Sequence, residues 1–116
     1  MKAKAALFLG PGKPFQIEEF PLPKVKPGGI LVKVRMSTIC GSDLHTWQGK
    51  RKAPLPIILG HEIVGEIEEI GKGISKDSME NPLSRGDRIS WTITASCGKC
   101  YYCRIKSIPQ KCLSLF

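Results

Sequence analysis

A chain of 116 residues with 41% hydrophobic residues is long enough for one folded domain and too apolar for an intrinsically disordered protein. No stretch approaches the ~20 apolar residues that a membrane span needs, and the N-terminus lacks the apolar run of a signal peptide, so we expect a cytoplasmic protein without a membrane partner. The net charge of +8 is spread along a chain with only 7% aromatic residues, which favours a solvated basic surface over a nucleic-acid interface.

Short strands separated by Gly and Pro turns dominate the expected secondary structure. Alternating or β-branched apolar residues predict strands at five places, namely 3–9, 15–18, 30–37, 63–70 and 89–94. A short helix is expected at 42–48, with Ser42 as its N-terminal cap. Residues 76–82 are polar and contain Asn-Pro, which is typical of a surface loop. This pattern predicts a mainly β fold, a small β-barrel with short helices.

Four of the five cysteines lie close together, with two residues between each of the first three: Cys97, Cys100, Cys103 and Cys112. Thiolates at this spacing can surround one metal ion, and four of them complete a tetrahedral zinc shell that leaves no position for substrate. We therefore predict a structural zinc lobe at about residues 95–113. The alternatives are free or redox-active cysteines and an iron–sulfur centre.

The fifth cysteine belongs to a second group of metal-binding residue types. Cys40 follows the strand at 30–37, and His61 and Glu62 come about twenty residues later. A lone cysteine is usually a buried apolar residue, but together these side chains offer the thiolate, imidazole and carboxylate that a catalytic zinc takes. A hydroxyl group near such a zinc could pass its proton to Ser42 and on to His45, while the metal acts as a Lewis acid.

These motifs resemble those of the zinc-dependent medium-chain alcohol dehydrogenases, in the same order and over nearly the whole chain. The segment Gly60-His61-Glu62-x-x-Gly65-x(5)-Gly71-x-x-Ile74 resembles the zinc signature of that family. The segment 40–45 resembles its first-ligand region, and the four-cysteine segment resembles its structural zinc loop. The resemblance implies a GroES-like β-barrel and hydride transfer between a small alcohol or aldehyde and NAD(P).

The resemblance also implies roles for individual residues. Cys40 and His61 correspond to two ligands of the catalytic zinc, and Glu62 to a carboxylate that can approach or exchange onto the metal. Asp43 corresponds to the acid that holds the ring of His61. The proton relay and the structural zinc ligands fall on further residues, which are Ser42 and His45, and Cys97, Cys100, Cys103 and Cys112, respectively.

Two features depart from the family pattern. Eight residues separate Cys103 from Cys112 where the family has seven, but one extra loop residue costs little. The family's third catalytic ligand lies beyond residue 116 in the family pattern and has no counterpart here. The Rossmann domain has none either, since neither Gly10-Pro-Gly12 nor Gly71-Lys-Gly73 continues as a dinucleotide fingerprint. We therefore expect residues 1–116 to be a truncated catalytic domain that is inactive alone. It would bind NAD(P) only with a missing domain, and the full-length protein would form a homo-oligomer.

Segments between the motifs resemble one subgroup, the dehydrogenases associated with phosphonate catabolism: 37–45, 86–91 and 109–115. The basic triplet Lys50-Arg51-Lys52 has two interpretations. It is either an ordinary solvated loop or an anion-attracting rim beside the active-site cleft, suited to a phosphonate or phosphate on the substrate.

Two other functions remain open from the sequence. A stand-alone GroES-like zinc-binding module would keep both groups of metal-binding residues without catalysis. A small nucleic-acid-binding zinc ribbon would explain the basic charge and the four-cysteine segment, but it would leave Cys40, His61 and Glu62 without a role. We therefore expect no nucleic-acid partner.

Overall fold

The computed structural model describes residues 1–114, and strands are its main regular structure. The elements in chain order are β1 (Lys2–Leu7), β2 (Gln16–Pro21), β3 (Ile30–Thr38), α1 (Gly41–Trp47), β4 (Glu62–Ile70), β5 (Arg88–Ser90), α2 (Tyr101–Arg104) and a 3-10 turn (Pro109–Lys111). The mainly β fold with short helices that the sequence predicts is confirmed. Within the described residues no helix is long and apolar enough to cross a membrane.

The strands form two antiparallel sheets. β1 pairs with β2 from Lys2↔Pro21 to Leu7↔Gln16. β3 pairs along its whole length with β4, which also pairs with the short β5. Phe8 exchanges both backbone hydrogen bonds with Ile57, at 2.8 and 3.2 Å, so the end of β1 is tied to the segment that leads into Gly60.

Two local predictions are wrong. The strand expected at 89–94 ends at Ser90, which pairs with Val64 of β4, and the apolar side chain of Ile93 beyond it is 65% exposed, so the alternation at 91–94 does not mark a buried face. The N-terminal cap of α1 is Cys40 rather than Ser42. Ser42 already lies inside the first helical turn, where its carbonyl accepts a hydrogen bond from the Thr46 hydroxyl at 3.0 Å.

The apolar core is small for a chain of this length. Phe8 and Ile67 are its largest fully buried side chains, and Phe8 packs against Phe15 with ring centroids 5.6 Å apart. The accessible surface is 9257 Å², whereas a compact monomer of 12.8 kDa exposes about 6300 Å². Part of the excess is apolar, including Met36, which is 66% exposed. This fold therefore leaves uncovered a surface that a compact domain would bury.

The loop between β4 and β5 has the polar, turn-rich character expected for 76–82, and Asp77 organises it. One Asp77 carboxylate oxygen accepts the backbone N–H groups of Met79 and Asn81, and the other accepts the Asn81 side-chain amide at 3.0 Å. These bonds to the charged form hold the pKa of Asp77 below its ordinary value, with the Asn81 side chain as the largest cause.

We expect an NMR titration to place the Asp77 pKa below the ordinary aspartate value, and Asn81→Ala to raise it. Because the folded-state pKa is lowered, the stabilisation is present above the ordinary aspartate pKa and is lost as the pH falls through the folded-state pKa. An unchanged titration in Asn81→Ala would show that the side-chain amide does not stabilise the carboxylate.

Candidate metal centres

Asp43 links the two segments that carry the first group of predicted ligands. α1 begins directly after β3, and this turn places the Asp43 carboxylate against the backbone of both segments. Its Oδ2 accepts the N–H of Cys40 at 2.9 Å, and its Oδ1 accepts the N–H of Gly60 at 3.3 Å. The residue is only 8% exposed. One carboxylate therefore fixes the backbone next to Cys40 and next to His61.

The ring of His61 is oriented by the same carboxylate. His61 Nδ1 lies 3.7 Å from Asp43 Oδ1, which is close but longer than a hydrogen bond. Since Nδ1 faces Asp43, Nε2 is the nitrogen left for a metal. Glu62 begins β4 opposite Thr38 of β3, and its carboxylate accepts a hydrogen bond from the Thr38 hydroxyl.

Cys40, His61 and Glu62 lie close enough to share one ion. Each residue offers one ligand atom, and the three atoms lie within 4.8 Å of one another. Ligands bound to one tetrahedral zinc at about 2.0–2.3 Å lie about 3.3–3.8 Å apart, so small side-chain movements would bring all three onto one ion. A thiolate, an imidazole and a carboxylate also form a donor set that suits Zn²⁺. The residues present therefore fit a zinc ion.

Ser42 and His45 occupy different environments on α1. Ser42 lines a cavity together with Asp43 and His61, whereas His45 is exposed and is not part of the cavity wall. The structure records no hydrogen bond between the Ser42 and His45 side chains within residues 1–114. Their action as a proton relay stays a prediction.

Two residues that sequence reasoning did not assign to the site support it. Thr38 positions the Glu62 carboxylate across the β3–β4 pair, in a register that no local sequence pattern reveals. Gly60 has a φ of +103°, and a Cβ there would lie 2.6 Å from the Ser37 hydroxyl oxygen. Only glycine combines this backbone conformation with so close an approach.

The four remaining cysteines form a second, separate group around α2 and the 3-10 turn. Sulfur–sulfur distances are 3.5 Å for Cys100–Cys103 and 4.0 Å for both Cys97–Cys103 and Cys100–Cys112. Four thiolates at about 2.3 Å from one zinc would lie about 3.8 Å apart, so this spacing is that of a tetrahedral shell. A cluster of two or four irons would hold some or all of the sulfurs farther apart, because the four thiolates would be divided among different irons. The arrangement therefore fits a single ion.

Backbone N–H groups stabilise the thiolate form of this group. Donors on Leu113 and Cys103 lower the pKa of Cys100 to about 6, and those on Lys99 and Cys100 lower the pKa of Cys97. The pKa of Cys103 is raised to about 11, first by burial of the thiol and then by its contact with the Cys100 sulfur. Part of the group is therefore ready to bind a cation at neutral pH, and Cys103 must lose its proton when a metal binds.

The chain is similar to known alcohol dehydrogenases. The sequence profile of the alcohol dehydrogenase GroES-like domain matches residues 26–115. Zinc-type alcohol dehydrogenase B of Aspergillus flavus is 39% identical over 104 residues, which cover 89% of this chain and 23% of that protein. The 5-exo-hydroxycamphor dehydrogenase of Pseudomonas putida is 42% identical over 88 residues, 75% of this chain and 24% of that enzyme. The chain thus spans about a quarter of the length of the curated relatives it matches.

Solved structures share the fold. An alcohol dehydrogenase from Thermotoga maritima superimposes with a TM-score of 0.86 at 34% identity, covering 99% of this chain and 32% of that one. The alcohol dehydrogenase TADH from a Thermus species gives a TM-score of 0.80 at 34% identity, with 97% and 31% covered. The predicted GroES-like fold is confirmed.

Proposed function

Since the chain belongs to the family of alcohol dehydrogenase GroES-like domains, we propose that it is the zinc-binding catalytic domain of an NAD(P)-dependent alcohol dehydrogenase. One observation carries the proposal. Cys40, His61 and Glu62 converge within 4.8 Å in the same fold as a separate group of four cysteines. A zinc ribbon needs only the second group, so the first group is the one that favours a zinc-dependent dehydrogenase.

The two centres have different tasks in this proposal. Cys97, Cys100, Cys103 and Cys112 would hold a structural zinc in a closed shell. Cys40 Sγ, His61 Nε2 and Glu62 would hold the catalytic zinc. A zinc ion in such a site supplies Lewis-acid polarisation of an alcohol or aldehyde oxygen. The NAD(P) site and the rest of the catalytic shell would come from outside these 116 residues.

The residues around the catalytic centre would orient its ligands and move the proton. Asp43 holds the backbone at Cys40 and Gly60 and faces the ring of His61, so both ligand side chains keep their direction. Ser42 lines the same cavity as His61, and its hydroxyl would take up the proton of a substrate hydroxyl while it releases its own proton toward His45. His45, three residues later on α1, is exposed and would pass the proton that it receives to solvent.

The proposal extends to the substrate, the assembly and the location. We propose a small alcohol or aldehyde as substrate, with a phosphonate-bearing alcohol as the more specific candidate. We also propose a homo-oligomer for the complete protein and a cytoplasmic location. All five cysteines are free in the structure, as they would be in a reducing cytoplasm.

The test is alcohol-dependent formation of NAD(P)H, followed at 340 nm, in the protein that the complete reading frame encodes. We expect His61→Ala to lower kcat/KM by about 10³-fold or more, because losing the polarising ion removes several kcal/mol of transition-state stabilisation. No turnover by the unmodified protein with any alcohol, together with full zinc loading, would instead identify a non-catalytic zinc-binding module.

A further inference from the structure

A cavity of about 250 Å³ lies between α1 and the segment that leads into β4. Ser42, Asp43 and His61 of the candidate zinc site line this cavity. Two cations, Arg51 and Lys52, line it as well, and the remaining wall is formed mainly by apolar side chains, including Pro54, Ile57 and Ile58. The same cavity therefore contains the candidate zinc ligand His61 and two positive charges.

The backbone places the basic triplet beside α1. The helix ends in a Schellman motif, in which the N–H of Gly49 bonds to Thr46 O at 3.0 Å and the N–H of Lys50 bonds to His45 O at 2.9 Å. Gly49 has a φ of +77°, and the N–H of Arg51 also donates to His45 O at 3.2 Å. The start of the triplet is therefore tied to the same helix that carries Ser42 and Asp43.

Within residues 1–114, the two cations of the cavity wall have no anionic partner. The ion pairs of lysine and arginine in this part of the chain involve other side chains, which are Lys2, Arg35, Lys76 and Arg85. Asp43 is the acidic residue of the cavity wall, and its oxygens already accept two backbone N–H groups and face His61. The positive charge of Arg51 and Lys52 is therefore available to a ligand.

We propose that Arg51 and Lys52 form an oxyanion subsite, so that the alcohol oxidised here carries a phosphonate or phosphate group in addition to its hydroxyl. The inference rests on the proposed function. A guanidinium binds two oxygens of such a group through parallel N–H bonds, and an ammonium adds a compact positive charge. The small cavity suits an alcohol of a few carbon atoms, whose hydroxyl would face His61 and Ser42. A phosphate of NAD(P) has the same chemistry, so the test separates these two sources.

The test measures binding to the purified, zinc-loaded chain by ¹⁵N NMR and calorimetry at one fixed low ionic strength. The probes are 2-hydroxyethylphosphonate, the uncharged 1-propanol and ADP-ribose. The double variant Arg51→Gln/Lys52→Gln removes both cations of the cavity wall. Lys50→Gln/Lys24→Gln is the matched control, since it removes the same charge from positions that do not line the cavity.

We expect the cavity variant to weaken 2-hydroxyethylphosphonate binding at least about tenfold and the control to weaken it less than about twofold, with 1-propanol binding unchanged in both. Equal weakening by the two variants would mean general attraction to a basic surface and would overturn the subsite. If instead ADP-ribose alone loses affinity in the cavity variant, the cations serve the cofactor and the substrate assignment is wrong.

The metal content separates failure of this inference from failure of the proposed function. If the unmodified chain does not bind the phosphonate while zinc stays bound through Cys40 and His61, the subsite is refuted and the dehydrogenase proposal stands. If zinc does not bind through Cys40 and His61, the proposed function itself is refuted.

Discussion

Replacing Cys100 with serine is expected to release one zinc ion per chain and to unfold the segment from Cys97 to Cys112. α2 has four residues and the 3-10 turn has three, and neither contains a buried side chain. No buried apolar side chain in α2 or the 3-10 turn holds this segment together, so we expect the proposed zinc ion to do so. Structural zinc sites contribute about 10–16 kcal/mol of apparent binding free energy, far more than any other contact available here. Mutating a residue that only supports the metal ligands lowers metal affinity by up to about a hundredfold. Because Cys100 is itself a proposed ligand, we expect its replacement to lower zinc affinity at this site by at least that factor.

The matched control is Cys40→Ser, which removes a thiolate from the other centre. Zinc per chain, measured by mass spectrometry of the metal, should fall by about one ion in either variant. The two variants should differ in the Co²⁺-substituted protein, because thiolate-to-cobalt absorption depends on how many sulfurs bind the ion. We expect Cys100→Ser to lose most of this absorption and Cys40→Ser to lose little of it. The reverse pattern would contradict the assignment of the four-cysteine group as the closed site.

Replacing Asp43 with asparagine is expected to weaken zinc binding at the Cys40, His61 and Glu62 centre by about 10–100-fold. The Asp43 carboxylate accepts one N–H on each oxygen, whereas an amide has only one acceptor oxygen. Either the Cys40 or the Gly60 N–H would then face an NH₂ group in a nearly buried position. We expect this to cost about 1–3 kcal/mol of stability as well. A metal-competition titration with a coloured chelator measures the affinity, and urea unfolding measures the stability.

Asp77→Asn provides a control with a similar local defect elsewhere. Asp77 also accepts backbone N–H groups, but it lies in the loop between β4 and β5. This variant should lose stability while zinc affinity at the Cys40 centre stays within about twofold. If Asp43→Asn and Asp77→Asn reduced zinc affinity equally, the metal site would be responding to global stability and Asp43 would not be a positioning residue.

Residue type and spacing are good predictors of which side chains lie close together. They are poorer predictors of the hydrogen bonds that position those side chains. The four cysteines and the Cys40, His61 and Glu62 group were selected from the sequence, and the structure brings each group together. Their roles as zinc ligands stay predictions. The turn from β3 into α1 also depends on residues close together in the chain, and the sequence predicts the end of the strand and the start of the helix to within one residue.

The sequence was less informative where a contact depends on partners distant in the chain. The end of β5 at Ser90 is where its pairing with β4 stops, whereas the apolar alternation that predicted the strand continues to Ile93. The pairing of Thr38 with Glu62 depends on a register that shifts twice along β3. Position 42 looked like a helix cap because serine favours caps, but the bonds of Asp43 to the Cys40 backbone begin the helix two residues earlier.

The excess accessible surface also determines how this chain would respond to denaturant. The folded chain exposes 9257 Å², about half of what its unfolded form exposes, whereas a compact chain of this mass hides about two thirds. Both the urea m-value and the heat-capacity change of unfolding scale with newly exposed surface. Unfolding transitions of these 116 residues should therefore be broader than their number suggests, and they would sharpen once a partner surface covers exposed apolar side chains such as Met36 and Ile93.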